Sequence, residues 1–182
     1  MITIGFKGEI GSGKDTAGDY LVEKYNYEKR AMAENLKKAA QVIFSFEDHQ
    51  LYGTQEQKET PDPRWENVTP RKIMQYFGTE CMRDQMYKIM PEMGKAIWVK
   101  SLEISLHGKT DNICICDIRY KEEADLVKRL GGIIINLKRD RVRTESHNHT
   151  SELEMQNIPH DYEIDNNGTL EALYQQLDII IK

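Results

Sequence analysis

The chain has 182 residues, enough for one domain with a real core. Hydrophobic residues make up 39% and charged residues 30%, the balance of a soluble globular protein rather than a disordered chain. A net charge of −5 argues against a nucleic-acid partner, and no apolar stretch is long enough to span a membrane.

Residues 2–6, ITIGF, are an apolar run ending in glycines, which predicts a buried strand. Lys14 to about Tyr25 predicts a helix, with Ala17, Leu21 and Tyr25 four apart. A short strand is expected over 27–32, then a helix over 33–46 with Leu36, Ala40 and Ile43 on one face. Residues 47–70 are polar and contain Pro61, Pro63 and Pro70, so loop is expected there. Thr69-Pro70 suits a helix start, and helices are expected over 71–89 and about 91–106.

NICIC at 112–116 predicts a second buried strand, 120–130 a helix, and IIINL at 133–137 a third strand. A last strand is expected over 162–165. Asn167-Gly168-Thr169 then turns into and caps a helix with Leu170, Leu173, Leu177 and Ile180 on one face. Strands alternating with helices argue for an α/β fold, a parallel sheet covered on both faces. No domain boundary is visible, and the polar stretches 47–70 and 138–152 read as insertions on one core. The three cysteines, with no secretory leader, fit reduced thiols in a cytosol. Cys114 and Cys116 share one strand face as core residues.

GEIGSGKDT, residues 8–16, follows the first strand and opens the first helix. Gly8, Gly11 and Gly13 let the backbone curl so that N–H groups face an anion. The helix adds its positive N-terminal end, and Lys14 can reach outer phosphates. Asp15 stands where a hydroxyl is usual. A carboxylate there can hold Mg²⁺ directly or through water, or it can simply favour the helix dipole.

Arg71, Gln75, Thr79 and Arg83 are each four apart, one slowly drifting polar stripe on a helix. The stripe is either a solvated face or a phosphate-binding one, since arginine binds two oxygens with its planar fork. Gly78 inside that helix needs a reason, either close substrate approach or close helix packing. Asp117 and Arg119 follow the second buried strand at its carboxyl end, where open parallel sheets bind ligands. They fit a metal or acceptor site, or else a local salt bridge or helix cap. Arg139, Arg141 and Arg143 lie in a basic run after the third strand, either a lid that closes over a nucleotide or a mobile loop. His147 and His149 lack a third ligand nearby, which favours solvent over metal.

The loop GEIGSGKDT, the segments ENLKKA, RKIMQYFGTECMR, CDIRYKEE and GGIIINLKR, Trp98, HTSE and the ending DNNGTL occur in one order over nearly the whole chain. In these the chain resembles the phage deoxynucleoside monophosphate kinases. The resemblance implies a P-loop NTPase fold: three layers α/β/α, a five-stranded parallel sheet, a monophosphate-binding insertion at about 47–105 and a lid at about 138–152. It implies one kinase domain over 1–182 that phosphorylates deoxynucleoside 5′-monophosphates with ATP and Mg²⁺.

Carried over by motif, Gly11, Ser12, Gly13, Lys14, Asp15 and Thr16 would bind ATP, with Asn166 and Gly168 near its adenine. Lys37, Arg71, Gln75, Gly78, Thr79, Arg83 and Trp98 would line the acceptor site. Asp117, Arg119 and Glu122 would stand beside the acceptor phosphate or sugar. Asp15 and Asp117 are the metal candidates. Lys14, Arg119, Arg139 and Arg143 would neutralise charge during transfer. The partner implied is a small nucleotide in a cytoplasm, the host's if the chain is phage-encoded, and a homodimer is compatible with it. The rival readings are a P-loop kinase for phosphomevalonate or dephospho-coenzyme A, and a nucleotide-binding module without catalysis. The RKIMQYFGTE block favours the nucleotide kinase, and no N-K-x-D base-reading motif of guanine-nucleotide switches is present.

Overall fold

β1 (Thr3–Lys7) is buried at all five positions, as a strand covered on both faces must be. The computed structural model describes residues 2–93, 95–140 and 155–181. Among these, β1, β2 (Glu28–Arg30), β3 (Ile113–Ile115), β4 (Ile133–Lys138) and β5 (Tyr162–Asp165) form one sheet in the order β2-β3-β1-β4-β5. Every neighbouring pair is parallel, and Ile4 of β1 is in register with Cys114 of β3 and Ile133 of β4. The chain crosses from one side of β1 to the other between β3 and β4. The carboxyl end of β1 is therefore a switch point, where such sheets bind ligands.

Contacts divide the chain into two compact units, Met1–Met32 with Leu106–Lys182, and Ala33–Ser105. The first unit holds the sheet in three α/β/α layers. Ile4 and Phe6 join Ala17 and Leu21 of α1 (Lys14–Tyr25) in one buried cluster with Ile135, Leu137 and Ile164. Leu173 and Leu177 of the final helix, Leu170–Ile181, complete it. Each of the larger side chains, Ile, Leu or Phe, contributes about 1.5–3 kcal/mol by leaving water. On the opposite sheet face Gly5 meets the helix Lys121–Arg129, where a Cβ would stand 3.0 Å from Val127 Cγ2. The Thr169 hydroxyl accepts from Ala172 N at 3.3 Å and caps the final helix, as its sequence predicts.

The second unit is built from shorter pieces: α2 (Glu34–Phe44), α3 (Asp48–Tyr52), α4 (Gln55–Glu59), a 3₁₀ turn at Pro63–Trp65 and α5 (Pro70–Tyr76). A π-helical segment, Phe77–Asp84, runs on into α6 (Gln85–Ile89). After a second 3₁₀ turn, Pro91–Met93, comes α7 (Ile97–Leu106). The helices Lys121–Arg129 and Leu170–Ile181 of the first unit are then α8 and α9.

The expected loop at 47–70 is thus partly helical. Side chains, not apolar periodicity, start α3 and α4: Glu47 with Gln50, and Thr54 with Gln57, form reciprocal caps. Likewise α7 begins at Ile97 rather than near 91, because Pro91–Met93 is a 3₁₀ turn. Ala40, Phe46 and Leu51 form a small core, with Phe44, Ile73, Met74 and Phe77 packed on it. Phe44 meets the edges of Trp65 and Phe77 with ring centres 5.3 and 5.6 Å away.

Candidate active site

The loop after β1 turns through three glycines at positive φ: Gly8 at 144°, Gly11 at 74° and Gly13 at 102°. A side chain at Gly8 or Gly13 would be strained there, so the sequence can form this curl only with glycine. Gly13 caps α1, and its carbonyl accepts the first helical bond from Ala17 N at 2.9 Å.

Lys14 Nζ folds back over the loop and donates to Gly8 O at 2.6 Å, Glu9 O at 2.7 Å and the Ser12 hydroxyl at 3.3 Å. Burial, and then the charge of Arg119, pull its pKa down to about 8, while Asp15 and Asp117 oppose the fall. Arg119, Asp15 and Asp117 are therefore all within electrostatic reach of Lys14.

Asp15 is largely exposed, and its carboxylate is 3.0 Å from Lys29 Nζ. Burial opposes the Lys29 charge, but bonds to Asp19 and Asp15 outweigh it and hold the ammonium above the usual lysine range. Thr16 is half-buried in the first turn of α1. Asp117 follows β3 and accepts the Met32 N–H at 2.9 Å. Arg119 is exposed, and its backbone N–H, with that of Tyr120, donates to Glu123 Oε2 at 2.7 and 3.1 Å.

The sequence singles out Glu122, which is half-buried in the first turn of α8, but it is the adjacent Glu123 that is buried beneath the 117–120 turn. Burial and the Asp117 charge push the Glu123 carboxyl up to about 8, against the two N–H bonds and Arg119. The signal for Glu123 was its position three residues after the helix cap Tyr120, the spacing of a capping box.

Asn166 lies just past β5, nearly buried, with its amide on Ser12 O at 2.8 Å. Gly168 is exposed in the following turn. Arg139 is exposed one residue past β4. Arg143 lies outside the described residues, as do Arg141, His147, His149 and most of the predicted lid.

In the second unit, Lys37 Nζ lies 4.6 Å from the ring centre of Tyr52. Arg71 pairs with Glu59 at 2.5 Å and also donates to Gln55. Gln75 and Thr79 are exposed and Arg83 is half-buried. The stripe they form begins on α5 and ends on the π segment. Four residues overshoot one α turn but fall short of one π turn, so the wider turn offsets the drift.

Gly78 is buried, and a Cβ there would stand 2.7 Å from Leu36 Cδ2, so close helix packing accounts for this glycine. Its carbonyl accepts from Trp98 Nε1 at 2.9 Å, which joins two of the predicted acceptor residues.

Among the described residues no three His, Cys, Asp or Glu side chains cluster as a metal cage, and no helix is long and apolar enough to cross a membrane.

Residues 48–177 match the family described as deoxynucleotide monophosphate kinase. A protein of Acanthamoeba polyphaga mimivirus, provisionally named a deoxynucleotide monophosphate kinase, is 41% identical over 183 residues, covering 97% of this chain and 94% of its own. Among solved structures, shikimate kinase from Aquifex aeolicus has a TM-score of 0.55 at 13% identity, covering 98% of this chain and 95% of that one. TT1252 from Thermus thermophilus has a TM-score of 0.50 at 18% identity, covering 99% and 96%. At such identities these two structures speak to the fold alone.

Proposed function

The chain belongs to the deoxynucleotide monophosphate kinase family, and from that premise we propose that it transfers the γ-phosphoryl group of ATP to a deoxynucleoside 5′-monophosphate, giving the diphosphate and ADP. The observation that carries this reading is the loop at 8–16, with Lys14 held over a glycine-built cradle at the head of α1. The attacking atom is an oxygen of the acceptor phosphate, already anionic, so no strong general base is needed. Catalysis then rests on positioning and on neutralising charge.

In this reading Gly11 to Thr16 hold the polyphosphate. Lys14 exchanges neutral carbonyl partners for phosphate oxygens, with which its hydrogen bonds are charge-assisted and stronger. Arg119 and Arg139 add positive charge, and Asp117 and Glu122 orient the groups that arrive at the sheet edge. The segment 47–105 is the acceptor-binding insertion, where Arg71 takes the acceptor phosphate. Lys37, Gln75, Thr79, Arg83 and Trp98 recognise the rest of the nucleotide.

Mg²⁺ fits the donor set present. It takes only one or two carboxylates and completes its shell with water and phosphate oxygens. Asp15 and Asp117, both felt by Lys14, would hold it. When bound, the ion supplies positive charge to phosphate oxygens.

The test is ADP release from ATP with each deoxynucleoside and ribonucleoside monophosphate, with phosphomevalonate and dephospho-coenzyme A as outgroups. Turnover with at least one deoxynucleoside monophosphate and none with the outgroups is expected. Turnover with an outgroup alone would replace this reading.

A further inference from the structure

A loop that turns its N–H groups toward an anion must turn the carbonyls of the same peptide planes away from it. An outward carbonyl on the surface finds water. Ser12 is only 2% exposed, so the carbonyl of its peptide plane needs a protein donor. That donor is Asn166: its Nδ2 lies 2.8 Å from Ser12 O. Because a carbonyl can only accept, the amide must present its nitrogen to the loop.

The Asn166 side chain is itself fixed at its root. Its backbone N–H donates to Lys138 O at 2.8 Å and extends the β4–β5 ladder by one rung. The fit to the loop is close, for a Cβ on Gly13 would collide with the Asn166 amide. Gly13 is thus required both for its φ of 102° and for the room it leaves.

We propose that Asn166 is a positioning residue for the phosphoryl donor: by holding the Ser12 carbonyl outward it keeps the Gly13 N–H, in the same peptide plane, facing the phosphates. It acts through the loop and on the polyphosphate, not on the base. This rests on the reading of residues 8–16 as the donor site.

The variants Asn166→Ala and Asn166→Leu separate the possibilities. Because Asn166→Asp would add a charge beside the phosphates as well as remove the donor, Asn166→Leu is the second control. It keeps the branched shape with neither donor nor charge, so it isolates the lost donor even if Asn166→Ala fails to fold. The measured quantities are KM for ATP and for GTP, the competitive inhibition constant of inorganic triphosphate, KM for the acceptor, and the melting temperature. The expected result is a rise of roughly tenfold in the first three by the same factor, the scale of one lost hydrogen bond to a charged group, with acceptor KM within about twofold and a fall in melting temperature of only about 2–4 °C.

A rise confined to ATP would assign Asn166 to the adenine and overturn the proposal. Equal rises for donor and acceptor with a large fall in melting temperature would reduce it to general stability, and unchanged donor constants would remove it. If Lys14→Ala left the wild-type donor constants untouched, the fault would lie instead with the donor-site reading.

Discussion

Lys14 of the first unit and Arg71 of the second are held in opposite ways. Lys14 bonds to carbonyls of its own loop, while Arg71 is paired with the carboxylate of Glu59 and with Gln55. A phosphate arriving at Lys14 displaces neutral acceptors. At Arg71 it competes with an ion pair between partly exposed side chains, worth about 0–1 kcal/mol. The surroundings differ too. Lys14 opens α1, whose Ala17 and Leu21 join β1 in the large core cluster, whereas Arg71 stands on the short capped helix α5 in the unit built around the small core of Ala40, Phe46 and Leu51. On the proposed function, the donor cradle is set by backbone and the acceptor side by side chains that can be exchanged.

The sharpest way to break that contrast is Arg71→Ala. Loss of an arginine–phosphate contact predicts a rise in acceptor KM of roughly ten- to a hundredfold with ATP KM unchanged. Steady-state kinetics with both substrates varied checks it, and a change in ATP KM instead would move Arg71 to the donor.

Gly78→Ala comes next. Helix propensity favours alanine by about 1 kcal/mol, but overpacking against Leu36 costs about 1–3 kcal/mol, so net destabilisation of up to about 2 kcal/mol is expected in urea unfolding. A stabilised variant would show that Leu36 moves freely.

Glu123 offers a pH test. Its folded pKa, about 8, is raised above the ordinary glutamate range, so the folded chain holds the proton more tightly than the unfolded one. The stability this gives is complete below the unfolded pKa and is lost as pH rises through about 8. Melting temperature should fall over that window, and Glu123→Gln should flatten the curve. A wild-type curve as flat as that of the variant would mean the carboxyl is ionised throughout.

The smallest effect belongs to Glu59→Gln. Freeing Arg71 from its carboxylate should lower acceptor KM by about twofold to fivefold, in line with an exposed pair. A higher KM would show that Glu59 orients Arg71 for its ligand.

How much was legible in the sequence follows the same division. The strand Thr3–Lys7, the glycine loop and α1 are encoded by neighbours, through apolar run, punctuation and four-residue spacing, and they lie where the sequence placed them. In the second unit α3 and α4 carry no apolar stripe and are started by caps, so a polarity reading saw loop. The π segment Phe77–Asp84 has no period of its own in the sequence. The bond from Asn166 to Ser12 joins residues 154 apart and appears only when β4 and β5 are laid beside β1. Local physics wrote the loop, and tertiary physics wrote its support.

The most direct test of the central claim is to follow label from [γ-³²P]ATP with each deoxynucleoside monophosphate and to separate the products. The account predicts label in the deoxynucleoside diphosphate, one ADP per diphosphate formed, and a loss of roughly a thousandfold or more in Lys14→Ala, on the scale of removing a charge-stabilising group from phosphoryl transfer. Label appearing only as inorganic phosphate, or ATP bound with no transfer to any deoxynucleoside monophosphate, would contradict it.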